Sequence, residues 1–372
     1  MLAELQRHPH ARSVLAPALR DGRASHAYLF HGPAGSGKRA LARALAAELL
    51  AEGAADPASA RARVASGAHP DLTWVVPSGA HEMLVGDIAE PVIAAASRTP
   101  FEARKRVFVI ERVDELGEEA ANRMLKTLEE PASFVHLMLL TDRLGEVLPT
   151  IRSRCQLVRL EAPSPESVAT GIQRLGVDAA GAAACVALAL GDADRAAELA
   201  SADGRALRAA AEAFARAGLS GQMAVARPWQ QLLAAARGRG AAVAEEFKAR
   251  FDADRELTAK RDQKRLETDY AERGRRAQRR AQTAALDLGL QIVSLWYADL
   301  AALAWDAEDL VRNVDRRAEL AQDAQRDVVG DPARLRAAIE AVEATRLRFA
   351  SNVTEELACE ALGYRIEQAL GA

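Results

Sequence analysis

Aromatic residues are scarce: Phe, Tyr and Trp together make 4% of 372 residues, against a hydrophobic share of 49%. The apolar mass is therefore Ala, Leu and Val, which favours helix over a fold built mainly from strands. Cysteine is nearly absent too. Cys155, Cys185 and Cys359 lie too far apart in sequence for a CxxC pair or a disulfide framework, and a reducing, cytoplasmic setting is expected. No sign of charge dominates, since 49 Lys and Arg stand against 52 Asp and Glu. No global positive field draws such a chain to nucleic acid, so any DNA contact must be local. No uninterrupted apolar stretch reaches the roughly 20 residues of a membrane helix, and the N-terminal MLAELQRHPHARSV lacks the charged head and apolar centre of a signal segment. No membrane association is expected. At about 100 to 200 residues per domain, the length corresponds to two or three domains.

The chain changes character along its length. Ala27–His31 (AYLFH) is a short apolar run ending at a Gly-rich turn, and Lys38 to Glu52 then shows helical spacing through Leu41, Leu45 and Leu49. Arg106 to Glu111 (RVFVIE) and Val135 to Thr141 read as two further buried strands with the helical stretch Glu118 to Glu130 between them. Strands alternating with helices predict an α/β domain with a parallel sheet and flanking helices over residues 1–162. Strand signals stop near Pro163 and Pro165. Residues 163–203 read as a small helical domain of short helices broken at Gly176, Gly181 and Gly191, and residues 204–372 as an all-helical domain interrupted at Gly218 to Gly221, Gly238 to Gly240 and Asp331-Pro332. Within the latter, residues 255–280 hold ten basic and five acidic residues, a local charge of +5, and read as one long solvated helix whose acids pair with its bases four residues on. DNA or partner binding is the competing reading of that stretch.

Gly32-Pro33-Ala34-Gly35-Ser36-Gly37-Lys38-Arg39 fits GxxxxGK between a strand and a helix, where backbone N–H groups surround phosphates and Lys38 reaches the terminal ones. A Gly-rich turn that binds nothing is the alternative. The motif ends wrongly for hydrolysis: the Ser or Thr whose hydroxyl meets Mg²⁺ is replaced by Arg39, which has no lone pair to offer. The second strand departs from the pattern in the same sense. Its apolar run should lead into Asp-Glu, for the metal shell and the attacking water, and leads instead into Glu111-Arg112. Glu111 still accepts hydrogen bonds, whereas Arg112 stays protonated and cannot serve as a base.

The loop, the second strand, Asn122 to Pro131 (NRMLKTLEEP) and Leu148 to Cys155 (LPTIRSRC) together resemble the AAA+ clamp loader subunits of the bacterial DNA polymerase III holoenzyme, most densely over 24–160 and again at 352–366. The resemblance implies an AAA+ P-loop domain, a helical lid and an all-α collar through which subunits assemble. In the family the Ser-Arg-Cys arginine, here Arg154, reaches a neighbour's ATP as an arginine finger, a role that suits a guanidinium's charge and fixed fork; an arginine that only pairs locally is the bland alternative. Cys155 is expected to be a packing residue. Thr141 falls at the sensor 1 position and Arg195 at the second sensor position in the lid, where an exposed arginine near a helix start is an equal reading. Many relatives carry a four-cysteine zinc module ahead of a Gly-x-His-Pro-Asp run. This chain keeps Gly67-Ala68-His69-Pro70-Asp71 but has no cysteine in residues 51–66, so no zinc is expected and His69 reads as a loop or cap residue.

The resemblance therefore implies a non-hydrolysing stator, its phosphate loop (Gly32, Gly35, Gly37, Lys38, Arg39, with Glu111) holding ATP or ADP without turnover. The expected partners are the delta and tau/gamma subunits, with the sliding clamp and primer-template DNA reached through the complex. An ATP-hydrolysing motor of the tau/gamma type is the alternative and would need a hydroxyl at 39 and Asp-Glu at 111–112. A small-molecule P-loop kinase would have no use for LKTLEEP and PTIRSRC.

Overall fold

The computed structural model describes residues 5–6, 8–77, 83, 85–257, 260, 263–349 and 353–371. The chain divides into two compact units, Met1–Ser164 and Pro165–Ala372. The first unit runs α1 (Pro9–Arg20), β1 (Ala27–His31), α2 (Lys38–Ala51), α3 (Pro57–Ser66), β2 (Leu72–Val75), α4 (Val85–Ile88), β3 (Arg106–Ile110), α5 (Glu118–Glu129), β4 (Val135–Thr141), α6 (Pro149–Arg152) and β5 (Gln156–Arg159). The five strands form one sheet in the order β2-β3-β4-β1-β5, and every pairing is parallel. This is the α/β P-loop fold expected from the alternation of strands and helices.

Side chains alternate between the two faces of a strand, so one apolar run can build two cores. In β1, Ala27 and Leu29 join Phe108, Ile110, Leu137 and Leu139 under α5, whereas Tyr28 and Phe30 join Val107, Val109, Met138 and Leu140 under α1 and α2. All seven residues of the central β4 are buried. Leu41, Leu45 and Leu49, spaced four apart, turn one face of α2 into that second core. Two strands escape the sequence reading, β2 and β5. They are the edge strands of the sheet, and their partly exposed residues (Leu72, Thr73 and Trp74 in β2; Gln156, Leu157 and Arg159 in β5) dilute the apolar signal.

The second unit is helical throughout its described residues: α7 (Pro165–Gln173), α8 (Ala179–Leu188), α9 (Ala193–Ala200), α10 (Ala202–Leu219), α11 (Met223–Ala226), α12 (Trp229–Leu257), α13 (Gln263–Ala304), α14 (Arg317–Ala324), α15 (Pro332–Arg348) and α16 (Glu355–Leu370). The segments expected as a small helical domain and a separate helical domain share a single core, which runs from Ile172 and Leu188 through Phe214 and Trp296 to Leu370. Asp178, Asp192, Ser201 and Asp331 each cap a helix start with a side-chain oxygen.

Three helical expectations need correction. Gly181 lies inside the first turn of α8 and does not break it. Gly238 and Gly240 lie inside the 29-residue α12. A Cβ at Gly240 would come within 3.0 Å of Gln278 O, so this glycine permits close approach of α13 rather than ending a helix. The basic stretch 255–280 is also not one helix. It spans the end of α12 and the start of α13, two helices that pack against each other through Phe251 on Tyr270, with Phe247 beside Gly274. Among its described pairs, Arg276 meets Glu272 at 3.5 Å, one turn away; residues 258, 259, 261 and 262, like Asn352 of the C-terminal resemblance, lie outside the described residues. By length and composition, Tyr270–Ala304 could cross a membrane, but 78% of its most apolar window is buried, as in the core helix of a packed unit.

Candidate functional site

Parallel strands point their C-terminal ends to one edge of the sheet, where open α/β folds bind ligands. His31 of β1, Glu111 just past β3 and Thr141 of β4 all reach that edge, with His31 paired in register with Thr141. The chain leaves β1 through Gly32 to Gly37 and enters α2 at Lys38. Gly35 and Gly37 have φ of 70° and 84°, a backbone that side-chain-bearing residues adopt only under strain, which explains their place in the loop. The N-terminus of α2 adds the partial positive charge of unpaired N–H groups.

Lys38 is buried. Its Nζ donates to Gly32 O at 2.8 Å, Pro33 O at 2.7 Å and Ser36 Oγ at 3.2 Å, and meets Asp142 Oδ1 at 2.5 Å. Arg39 extends from the next position onto Glu111, with Nε 2.8 Å and Nη2 2.7 Å from Oε2. The other oxygen of the buried Glu111 accepts from Trp74 Nε1 at 2.7 Å, and Arg43 lies 4.6 Å over the Trp74 ring. The two departures from a hydrolytic motif are thus salt-bridged to each other.

Arg112 sits in the left-handed region, with φ 53° and ψ 49°, and pairs with the buried Glu115. Thr141 donates its hydroxyl to Asp114 Oδ1 at 2.6 Å and accepts from Arg143 N at 2.9 Å. Asp114 also accepts from Arg143 Nε at 3.0 Å, so the Thr141 hydroxyl is committed to this loop. His31 has its pKa lowered, first by burial and then by the charges of His10, Arg159, Arg152 and Lys38.

Arg154 follows the short α6. One guanidinium nitrogen donates to Thr150 O at 2.9 Å and to Ser153 Oγ at 3.3 Å, and the other to Glu129 at the end of α5. Cys155 packs with the core beneath α5, and burial pushes its thiol up to about 12. Arg195 belongs to the second unit, where it donates to Gln291 Oε1 at 2.9 Å and approaches Asp192 at 3.6 Å.

The Gly-x-His-Pro-Asp run is built as a brace. His69 is buried; its Nδ1 accepts from Asp71 N at 3.2 Å, and Glu102 lies 3.3 Å from its Nε2. Asp71 has no solvent exposure and accepts three backbone N–H groups, from Phe101, Glu102 and Ala103. His69 is thus a loop residue, read from the sequence as a loop or cap residue, and Asp71 and Glu102 tie this run to residues 101–103. Among the described residues no three His, Cys, Asp or Glu side chains are grouped to hold a metal ion.

The structure therefore joins Gly32, Gly35, Gly37, Lys38, Arg39 and Glu111 in one place with Thr141 on the same sheet edge, and puts Arg154 beside Glu129. Sequence reasoning missed Asp142 and Glu129. The only signals were an acid directly after a buried strand and an acid inside LKTLEEP, neither of which names its partner.

A P-loop between β1 and α2, on a five-stranded parallel sheet followed by a helical unit, defines the class as an α/β P-loop protein. Residues 7–164 match the family model described as DNA polymerase III, delta subunit. Over 151 residues the chain is 37% identical to DNA polymerase III subunit delta' of Pseudomonas aeruginosa, covering 39% of this chain and 45% of that one. Over 173 residues it is 35% identical to subunit delta' of Bacillus subtilis, covering 44% and 50%. The gamma/tau subunit of Mycobacterium bovis is also 35% identical, over 157 residues that cover 41% of this chain and 27% of that one. Among solved structures, a gamma subunit-related protein of Thermotoga maritima aligns over 96% of this chain and 99% of its own, at 14% identity and a TM-score of 0.41. Over its N-terminal unit the chain is similar to DNA polymerase III subunits, delta-prime and gamma/tau among them. The chain spans about half the length of the delta-prime relatives it matches.

Proposed function

We propose that this chain is the stator of a DNA polymerase III clamp loader: it hydrolyses no ATP itself and donates Arg154 to the ATP site of a neighbouring subunit. The observation that carries the reading is the Arg39–Glu111 salt bridge, with its 2.7 Å contact where a hydrolytic site needs a hydroxyl and a free acid. Arg112, paired with Glu115, adds that no base stands where the attacking water would be activated. Nucleotide taken up by Gly32, Gly35, Gly37, Lys38 and Arg39 stays intact in this reading, and Thr141 and Arg195 serve their own units rather than a reaction.

Arg154 is the group offered outward. Its Nη1 is braced at 2.9 Å by Thr150 O, which fixes the direction of the fork, while Glu129 shares the charge that a γ-phosphate would take over. The proposed partners are delta and tau/gamma subunits, with the sliding clamp and primer-template DNA engaged through the complex, in the cytoplasm. Zinc has no part in the reading, since His69 and Asp71 are spent on the loop they brace.

The test is to reconstitute the complex with wild-type or Arg154→Ala protein and compare DNA- and clamp-stimulated ATPase with clamp loading. An arginine finger is worth about 10³ to 10⁵ at its own site. Other sites keep their own fingers, so total turnover should fall in part and loading should fall further. Arg154→Lys should rescue poorly, because an ammonium lacks the planar fork. Unchanged rates with normal assembly would make Arg154 a local structural residue. The gamma/tau similarity favours a motor as the second reading, which requires the isolated protein to turn over ATP at about 1 per second or faster.

A further inference from the structure

In a working P-loop the lysine reaches the terminal phosphates, and the hydroxyl after it meets Mg²⁺ together with the acid that ends a second strand of the sheet. Both ionic positions are held here by the chain itself. Lys38 Nζ has three protons and four acceptors within 3.2 Å, one of them the Asp142 carboxylate at 2.5 Å. It cannot turn to a phosphate without giving up a partner. One residue on, the Arg39 guanidinium lies against Glu111 at 2.7 and 2.8 Å, and Trp74 holds the second Glu111 oxygen at 2.7 Å. A guanidinium has no lone pair and stays protonated, so a divalent cation brought to Glu111 would meet like charge and find no hydroxyl. These residues do not fit Mg²⁺.

We infer that Asp142 stands in for phosphate on Lys38 and Arg39 stands in for the divalent cation on Glu111, so that nucleotide must displace Asp142 to enter and is then held without metal. The inference deepens the reading of this loop as a nucleotide site and rests on it. Charge logic supports it from both sides: an anion replaces the anion that the lysine normally meets, and a cation replaces the cation that the acid normally meets. Access is also built in. The Asp142 side chain is 49% exposed and can turn to solvent when phosphate takes Lys38, whereas the Glu111 side chain, at 7%, keeps Arg39 in place. The ligand class is an uncomplexed nucleoside di- or triphosphate, bound by Lys38, the loop amides and the N-terminus of α2.

The experiment titrates the full chain with a fluorescent ADP in excess Mg²⁺ and again in EDTA. Asp142→Asn keeps the shape and removes the competing charge, and Asp142→Ser removes it by a second route. Both should bind at least about tenfold more tightly than wild type, with affinities in Mg²⁺ and EDTA equal to within about twofold. Affinity equal to wild type in both variants overturns the role of Asp142. An affinity about tenfold higher in Mg²⁺ than in EDTA overturns the role of Arg39. The double variant Asp142→Asn, Lys38→Ala separates these failures from that of the loop reading itself: if it binds as tightly as Asp142→Asn alone, the nucleotide lies elsewhere and the loop is not its site.

Discussion

Replacing Asp71 with Ala tests whether the Gly-x-His-Pro-Asp run is a structural brace. The carboxylate is fully buried and accepts from Phe101 N at 2.6 Å, Glu102 N at 3.0 Å and Ala103 N at 2.9 Å, while its own backbone carbonyl accepts from Val107 N at 2.9 Å as β3 begins. Hydrogen bonds to a charged acceptor contribute about 1.5 to 3 kcal/mol each. Three that share one carboxylate are not additive, and the exposed Phe101 and Glu102 regain some water, so a loss of about 3 to 5 kcal/mol is expected. For a unit of this size, 1 kcal/mol moves Tm by about 2 to 4 °C, which gives a fall of about 10 °C in the melting of the N-terminal unit by calorimetry. Asp71→Asn keeps one acceptor oxygen and should lose about half as much. A fall below about 2 °C for Asp71→Ala would show that the loop is held by something other than this carboxylate.

Two further outcomes follow from buried titratable groups. Burial pushes Cys155 and Cys359 up to about 12 and raises Cys185, so at pH 8 almost no thiolate forms; a thiol-reactive dye should label native protein very slowly and label all three cysteines after unfolding, and rapid labelling of the native chain would contradict the packing role of Cys155. His31, His69 and His136 all have pKa values lowered from 6.5, each chiefly by burial. The unfolded chain therefore binds more protons between the lowered values and about 6.5, so the stability these residues contribute is complete above about pH 6.5 and is lost as pH falls through the folded values. Melting temperatures of the N-terminal unit should fall from pH 7 to 5, less steeply in His136→Gln; stability that is flat or rises over that range would refute this.

The parts of this protein that repeat a local rule were legible in its sequence. Continuous apolar runs gave β1, β3 and β4 because central strands of a parallel sheet are buried on both faces, and the GxxxxGK spacing gave the phosphate loop because only that pattern supplies its backbone. Arg39 and Glu111 each read separately as a departure from hydrolytic chemistry. Their union did not, since 72 residues separate them and only the sheet order brings α2 and the end of β3 to one edge. The same holds for Lys38 with Asp142 and Arg154 with Glu129, pairs made by tertiary approach of segments whose local patterns say nothing of each other. Edge strands β2 and β5 escaped because half-exposed positions carry no periodic burial signal, and Gly240 misled because a glycine that lets two helices touch looks, along the chain, like one that ends a helix. Sequence determined what each segment could become, through periodicity and backbone freedom. Which charges neutralise which was decided only when the folded chain set them within 3 Å of one another, since ion pairing depends on distance in space and leaves no mark on spacing in sequence.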